Sequence, residues 1–299
     1  MIRSFLLALA VLLPMPMPLA AQDLANVLFA AADAPSQQSA MPVGTYAKGC
    51  AAGLVELPET GPGWQAMRLS RQRNFGQPVT IAFIEDLSRA AQKIGWAGIY
   101  IGDIGNPRGG PMDSGHASHQ IGLDVDIWQL PPRRLNLTKA EREEISSIPV
   151  RSDDQLSVTS NWTASHAALL RAAASDPRVD RIFVAAAVKI EICKTARAAD
   201  KKWLQKIRPE GGHDTHFHVR LKCPKGATLC QTQKPTVNDL SNGGSGCDDT
   251  LAWWVSDAYL HPERLPRDPN AKPTPRKKHP REFTMADLPA QCAAVLASD

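Results

Sequence analysis

The chain has 299 residues, 34 lysines and arginines against 30 aspartates and glutamates, a net charge of +4, and 43% hydrophobic residues. That length and apolar content suffice for a large domain with a real core. So mild a charge does not mark a nucleic-acid binder, and beyond the first residues no uninterrupted apolar span of about 20 residues predicts an integral membrane segment.

Residues 1–21 read as a secretory signal peptide. Arg3 precedes an apolar run from Phe5 to Leu13, prolines at 14, 16 and 18 stop a helix there, and Ala20 and Ala21 supply the small residues of a cleavage site. The six cysteines, Cys50, Cys193, Cys223, Cys230, Cys247 and Cys292, form an even set with no CxxC pair. In an exported chain that argues for disulfides rather than a metal cluster, and the sequence alone does not choose the pairing.

In chain order, Ile81, Ile84, Leu87, Ala91 and Ile94 recur at spacings of three and four, which predicts an amphipathic helix over 78–94. A strand follows over 98–104, and the prolines and glycines of 106–111 read as a loop. Helices are predicted over 164–174 and 189–207, with strands over 181–185 and 215–221. Residues 22–260 then form the main domain. The segment 261–299 opens with HPERLPRDPNAKPTPRKKHPR, whose prolines and basic residues predict an extended tether, with Cys292 able to pin its end to the body.

Two constellations carry the chemistry. In Ser114–Trp128, SGHASHQIGLDVDIW, strand alternation turns Leu123, Val125 and Ile127 to a core and Asp124 and Asp126 to the other face. Two carboxylates on one face repel unless a cation sits between them, and His119, reached through the turn-permitting Gly122, supplies a second ligand type. In Gly211–Leu221, GGHDTHFHVRL, the same alternation turns His216, His218 and Arg220 to one face and Phe217, Val219 and Leu221 to the core. Histidines clustered on the polar side of two distant apolar strands are the pattern of a metal site assembled across a sheet. Asp124 reads as a group supporting the ligands, His116 as a brace or accessory ligand, and His166, His261 and His279 as ordinary hydrogen-bonded groups.

His119-x6-Asp126 followed by His216-x-His218 resembles the LAS metallopeptidases, and GHASHQIGLDVDIW, RIFV, IRP, HVRLKCP and the six cysteines resemble the penicillin-insensitive murein endopeptidases. The resemblance runs from about Gly49 to Cys292. It implies an α+β fold whose central antiparallel sheet, flanked by helices and stabilised by disulfides, carries one catalytic Zn2+ on His119, Asp126 and His218. It implies disulfides Cys50–Cys292, Cys193–Cys247 and Cys223–Cys230. It also implies a periplasmic enzyme that cuts D-alanyl–meso-diaminopimelate crosslinks between peptidoglycan stem peptides and ignores penicillin.

Where related peptidases carry a glutamate three residues before the His-x-His pair, this chain has His213, which takes the role of general base. His216 would hydrogen-bond the oxyanion or orient that base. Arg68, Arg71, Arg73, Arg108 and Arg220 are candidates to meet stem-peptide carboxylates. Two departures stand out. Glu210 occupies a place where the family carries a tryptophan, and the loop 151–157 has aspartates but no histidine for a second metal with His116 at a homodimer contact. The rival readings are a D,D-carboxypeptidase or dipeptidase of the same superfamily, its cleft closed at one end, and a non-catalytic peptidoglycan-binding zinc protein.

Overall fold

A computed structural model describes residues 23–264 and 275–298; the expected signal peptide and residues 265–274 of the proline-rich segment lie outside the described residues. Eleven strands follow one another: β1 (Met41–Thr45), β2 (Lys48–Ala52), β3 (Val55–Glu56), β4 (Thr60–Gly61), β5 (Trp64–Ala66), β6 (Phe75–Gly76), β7 (Ile99–Ile101), β8 (Asp124–Trp128), β9 (Val179–Val184), β10 (Ile207–Pro209) and β11 (His216–Leu221). Seven of them form one sheet in the order β10-β9-β11-β8-β7-β5-β4, with β1 and β2 a separate hairpin and β3 and β6 a short pair.

The sheet is mixed, which corrects the expectation of an antiparallel one. The central pairs β9-β11, β11-β8 and β8-β7 are antiparallel, whereas β5 runs parallel to β7 and β9 parallel to β10. Each parallel pair is joined through helical chain, as a parallel connection requires. The helix Pro78–Lys93 lies between β5 and β7 in the chain, and Ala186–Cys193 with Lys201–Leu204 lies between β9 and β10.

Pro78 opens the first of these helices, where its missing N–H costs nothing and the extended Gln77 before it is already the conformation a proline imposes. Its Ile81, Ile84, Leu87 and Ala91 pack with Leu169, Leu170 and Ala173 of the helix Ala164–Ser175 onto the apolar face of the sheet. That face is made of Val125 and Ile127 from β8, Phe217, Val219 and Leu221 from β11, and Ile182 and Val184 from β9, as the alternation predicts.

The long helix expected over 189–207 is not formed. It ends at Cys193, passes through a 3-10 turn at Ala198–Asp200, and resumes as the short helix Lys201–Leu204 before β10. Asp200 causes the restart: its carboxylate accepts the backbone N–H of Arg197 at 3.1 Å and the indole N–H of Trp203 at 3.0 Å, bonds that compete with a continuous helix.

A smaller apolar cluster joins the two ends of the described chain. Ala25, Phe29, Val43 and Cys50 meet Leu288, Cys292 and Val295, and the helix Gln291–Leu296 packs against β2. The disulfides are Cys50–Cys292, Cys193–Cys247 and Cys223–Cys230, with no free cysteine among the described residues. Their sequence separations are 242, 54 and 7 residues. In the loop-entropy account the longest bridge contributes about 5 kcal/mol and the shortest about 2.5 kcal/mol. Replacing Cys50 and Cys292 by serine should therefore lower the denaturant midpoint far more than replacing Cys223 and Cys230. Equal losses in urea unfolding would contradict this.

Candidate active site

The strand register builds the site. His218 lies directly opposite Asp126, and Arg220 opposite Asp124, so β8 and β11 present two carboxylates, an imidazole and a guanidinium on the sheet face away from the main core. Phe183 of β9 is opposite His218 on the other side and meets its ring edge-on at 5.3 Å.

The loop between β7 and β8 brings in His119, which is wholly buried. Its backbone sits in the left-handed region at φ 67°, a strained conformation for a histidine that aims the side chain back toward the strand. Its backbone N–H donates to Asp124 at 3.0 Å, and its Nδ1–H donates to the Ile104 carbonyl at 2.9 Å, which leaves the Nε2 lone pair facing Asp126. Gly122 lets the chain enter β8: it has φ 69°, and a Cβ there would stand 2.5 Å from Leu54.

Asp124 is the hub of the support beneath the site. It is completely buried and accepts from His218 Nε2 at 2.9 Å and from the Arg220 guanidinium at 2.8 and 3.2 Å. Burial pushes its carboxyl up, but Arg220 and His218 outweigh that and hold it well below the usual carboxylate range. Arg220 is itself held between the rings of Tyr46 and Phe183, at 4.3 and 5.0 Å. With its Nε2–H given to Asp124, His218 turns Nδ1 toward the site.

Three imidazole nitrogens converge on one oxygen. Asp126 Oδ1 lies 3.4 Å from His119 Nε2, 3.4 Å from His218 Nδ1 and 3.7 Å from His216 Nε2. Although His119 Nε2 and Asp126 Oδ1 are near neighbours, they do not meet hydrogen-bond geometry, and both are buried without a hydrogen-bond partner. Leaving such atoms unpaired is costly. A spacing of about 3.3 Å is what donors sharing a tetrahedral ion at about 2.0–2.1 Å adopt. The residues therefore fit a bound divalent metal.

Three carboxylates surround His119. Burial alone would push its imidazole down, yet Asp126, Asp124 and Asp103 lift it to about 9, so near pH 7 Nε2 carries a proton that a cation must displace to use the lone pair. His218 is pushed down to about 3 by burial, against the pull of Asp124.

His116 offers an overlapping donor set, since its ligand atom, that of His119 and one of Asp126 all lie within 4.8 Å of one another. However, its Nε2 faces the other oxygen of Asp126 and Asp103, each at 3.2 Å. Asp103 also pairs with Arg73 at 2.8 Å and Arg71 at 3.3 Å. Burial opposes its ionisation, but His116 and Arg73 hold it down at about 2.

His213 stands just outside this group, its ring 5.1 Å from that of His216 and 5.8 Å from that of His218. Its Nδ1–H donates to the Gly211 carbonyl at 2.7 Å, leaving Nε2 free. Burial first, then the neighbouring His216, pushes it down to about 4, so it is a neutral imidazole near pH 7.

Two clefts meet at His216. One of about 340 Å³ is lined by Arg68, Arg71, Asp103, Asp126 and Trp128; the other, of about 550 Å³, by Phe183, Glu210, His213, His218 and Gln233; His216 lines both. Of the five candidate arginines, the structure leaves Arg68 and Arg71 facing the first cleft. Arg73 is buried on Asp103, Arg220 on Asp124, and Arg108 bonds the carbonyls of Ala34 and Leu296 at the terminal cluster.

His166 is a buried core group bonded to the Gln129 carbonyl at 2.8 Å, His279 accepts from the Arg281 N–H at 3.2 Å, and His261 lies 3.4 Å from Glu263. Reasoning from sequence missed Asp103, Phe183 and the rings of Trp254 and Tyr259, which stand beside Glu210 and His213. The adjacent Trp253-Trp254 pair was the available signal for the last of these.

Residues 42–297 match the family of penicillin-insensitive murein endopeptidases. The penicillin-insensitive murein endopeptidase of Haemophilus influenzae is 40% identical over 215 residues, 72% of this chain and 73% of the relative. That of Klebsiella pneumoniae subsp. pneumoniae is 38% identical over 259 residues, 86% of each chain, and that of Salmonella typhi 37% over 263 residues, 88% of each. With this coverage, and a site of the geometry described, the chain belongs to the penicillin-insensitive murein endopeptidase family.

Proposed function

We propose that the chain is a zinc-dependent murein endopeptidase that hydrolyses D-alanyl–meso-diaminopimelate crosslinks in the periplasm. The observation that carries this reading is the convergence of His119 Nε2 and His218 Nδ1 on Asp126 Oδ1 at the junction of two clefts. A carboxypeptidase needs room on one side of the scissile bond; two clefts that share His216, one on the β8 side of β11 and one on the β9 side, suit an enzyme that cuts between two peptides.

His119, Asp126 and His218 would hold the ion. They are preferred over a set containing His116, whose Nε2 is already engaged by Asp103 and the other oxygen of Asp126. A zinc ion supplies Lewis acidity there, polarising a carbonyl and acidifying water. His213 Nε2 accepts the proton of the attacking water and returns it to the leaving amine, while the bond from Nδ1 to Gly211 keeps the ring in the tautomer that can do so. His216, between the clefts, is placed to donate to the developing oxyanion or to steady His213. No side chain attacks the substrate, so no acyl-enzyme forms for a β-lactam to trap.

Arg68, whose guanidinium lies 5.8 Å over Trp128 and 3.2 Å from Ser146 Oγ, is placed to bind a stem-peptide carboxylate in the first cleft. Residues 22–260 would carry the chemistry and 1–21 direct export, with the tail from 261 pinned through Cys292.

Chelation should abolish conversion of crosslinked muropeptide dimers to monomers, added zinc should restore it, and penicillin should leave it unchanged. Inhibition by stoichiometric penicillin contradicts the mechanism. His213→Ala should keep one zinc per chain and lose about 10²–10⁴ in rate, whereas His218→Ala should lose both metal and activity; a zinc-free His213→Ala protein makes His213 a ligand instead. Arg68→Ala should raise KM about tenfold with kcat little changed, and an unchanged KM removes Arg68 from the carboxylate site.

A further inference from the structure

Beside the second cleft lies an aromatic cluster that the peptide chemistry does not use. Trp253 and Trp254, in the 3-10 helix Asp249–Val255, and Tyr259, in the helix Asp257–Leu260, place their ring centroids 5.1, 4.8 and 4.8 Å apart. Their planes cross at 54° to 81°, so each ring is braced by its neighbours.

The cluster is fixed in place rather than carried on a loose tail. Cys247 is bonded to Cys193, Asp248 caps the turn by accepting the Thr250 N–H at 3.1 Å, and the 3-10 helix packs against Ala186–Cys193. Trp254 and Tyr259 line a small pocket with Arg151, Glu210 and His213, and the Tyr259 hydroxyl lies 3.1 Å from where a Cβ on Gly211 would stand. Trp253 is 52% exposed and is the one aromatic side chain among the described residues with an openly exposed surface.

An indole held rigid and left in water stabilises the fold little, but it is the surface on which a pyranose ring packs, C–H face to ring. The two rings that brace Trp253, those of Trp254 and Tyr259, line the pocket shared with Glu210 and His213, so the exposed indole stands next to the place where the peptide would lie. A second copy of this chain is a poor occupant, since three rings fall far short of the roughly 800 Å² per partner of a stable interface. We propose that Trp253, braced by Trp254 and Tyr259, is a glycan subsite that packs against an amino sugar of the strand bearing the stem peptide. The inference rests on the murein endopeptidase reading and extends it from the peptide to the polymer.

The test compares two crosslinked substrates with identical peptides, one carrying its amino-sugar disaccharides and one stripped of them. Wild-type protein should prefer the glycan-bearing dimer. Trp253→Ala should lower kcat/KM on that dimer about fivefold, within what one aromatic contact supplies, and leave the stripped dimer unchanged; Trp253→Phe should recover most of the loss. Equal effects on both substrates, or none on either, overturn the proposal while the endopeptidase reading stands. Wild-type protein inert on both dimers sinks the endopeptidase reading and the subsite with it.

Discussion

The wholly buried carboxylate of Asp124 is the constraint on which the site depends. A charge taken out of water must be paired and hydrogen-bonded, and Asp124 meets that demand with Arg220, His218 Nε2 and the backbone of His119. Each of those bonds fixes something the chemistry needs. Arg220 ties β8 to β11 in register, the His119 bond shapes the loop ahead of β8, and the claim on Nε2 leaves His218 with only Nδ1 to offer. Histidines that hold a metal are as a rule oriented through their second nitrogen, and His119 and His218 each have one ring nitrogen fixed in that way, by the Ile104 carbonyl and by Asp124.

Asp124 and His119 are wholly buried, Asp126, His218 and Arg220 nearly so, and His216 and His213 are the partly exposed groups at the clefts. Asp103 and its arginines stabilise one flank, where His116 links Asp103 to Asp126. Phe183 closes the other flank with an apolar ring against both His213 and His218. A peptide lying across His216 would meet the cationic cleft on one side and the aromatic, glutamate-lined cleft on the other.

Much of this was legible because a strand's side-chain period is two. The alternation in DVDIW and HFHVRL assigned Asp124 to Ile127 of β8 and all six residues of β11 to their faces, and those two strands carry most of the candidate site. Sheet direction was less legible: the succession of strand, helix and strand that makes β5-β7 and β9-β10 parallel was present in the sequence, but the pairing itself is long-range. The break after Cys193 was hidden because the residues of 189–207 have adequate helix propensity, and only the side-chain bonds of Asp200 show why a turn wins. Asp103 and the Trp254–Tyr259 wall could not be placed beside the histidines from spacing, since only the fold brings 103, 126, 213 and 254 together. The aromatic wall beside Glu210 arrives from that later segment.

In the proposed site, Asp124 and the groups it binds present His119 Nε2, Asp126 Oδ1 and His218 Nδ1 to a single ion. Crystals of the zinc-loaded protein, measured for anomalous scattering on both sides of the zinc absorption edge, test it most directly. One anomalous peak is expected, bonded to those three atoms, with Asp124 still bonded to His218 Nε2. A peak bonded to His116 and Asp103 and out of reach of His218 would contradict it.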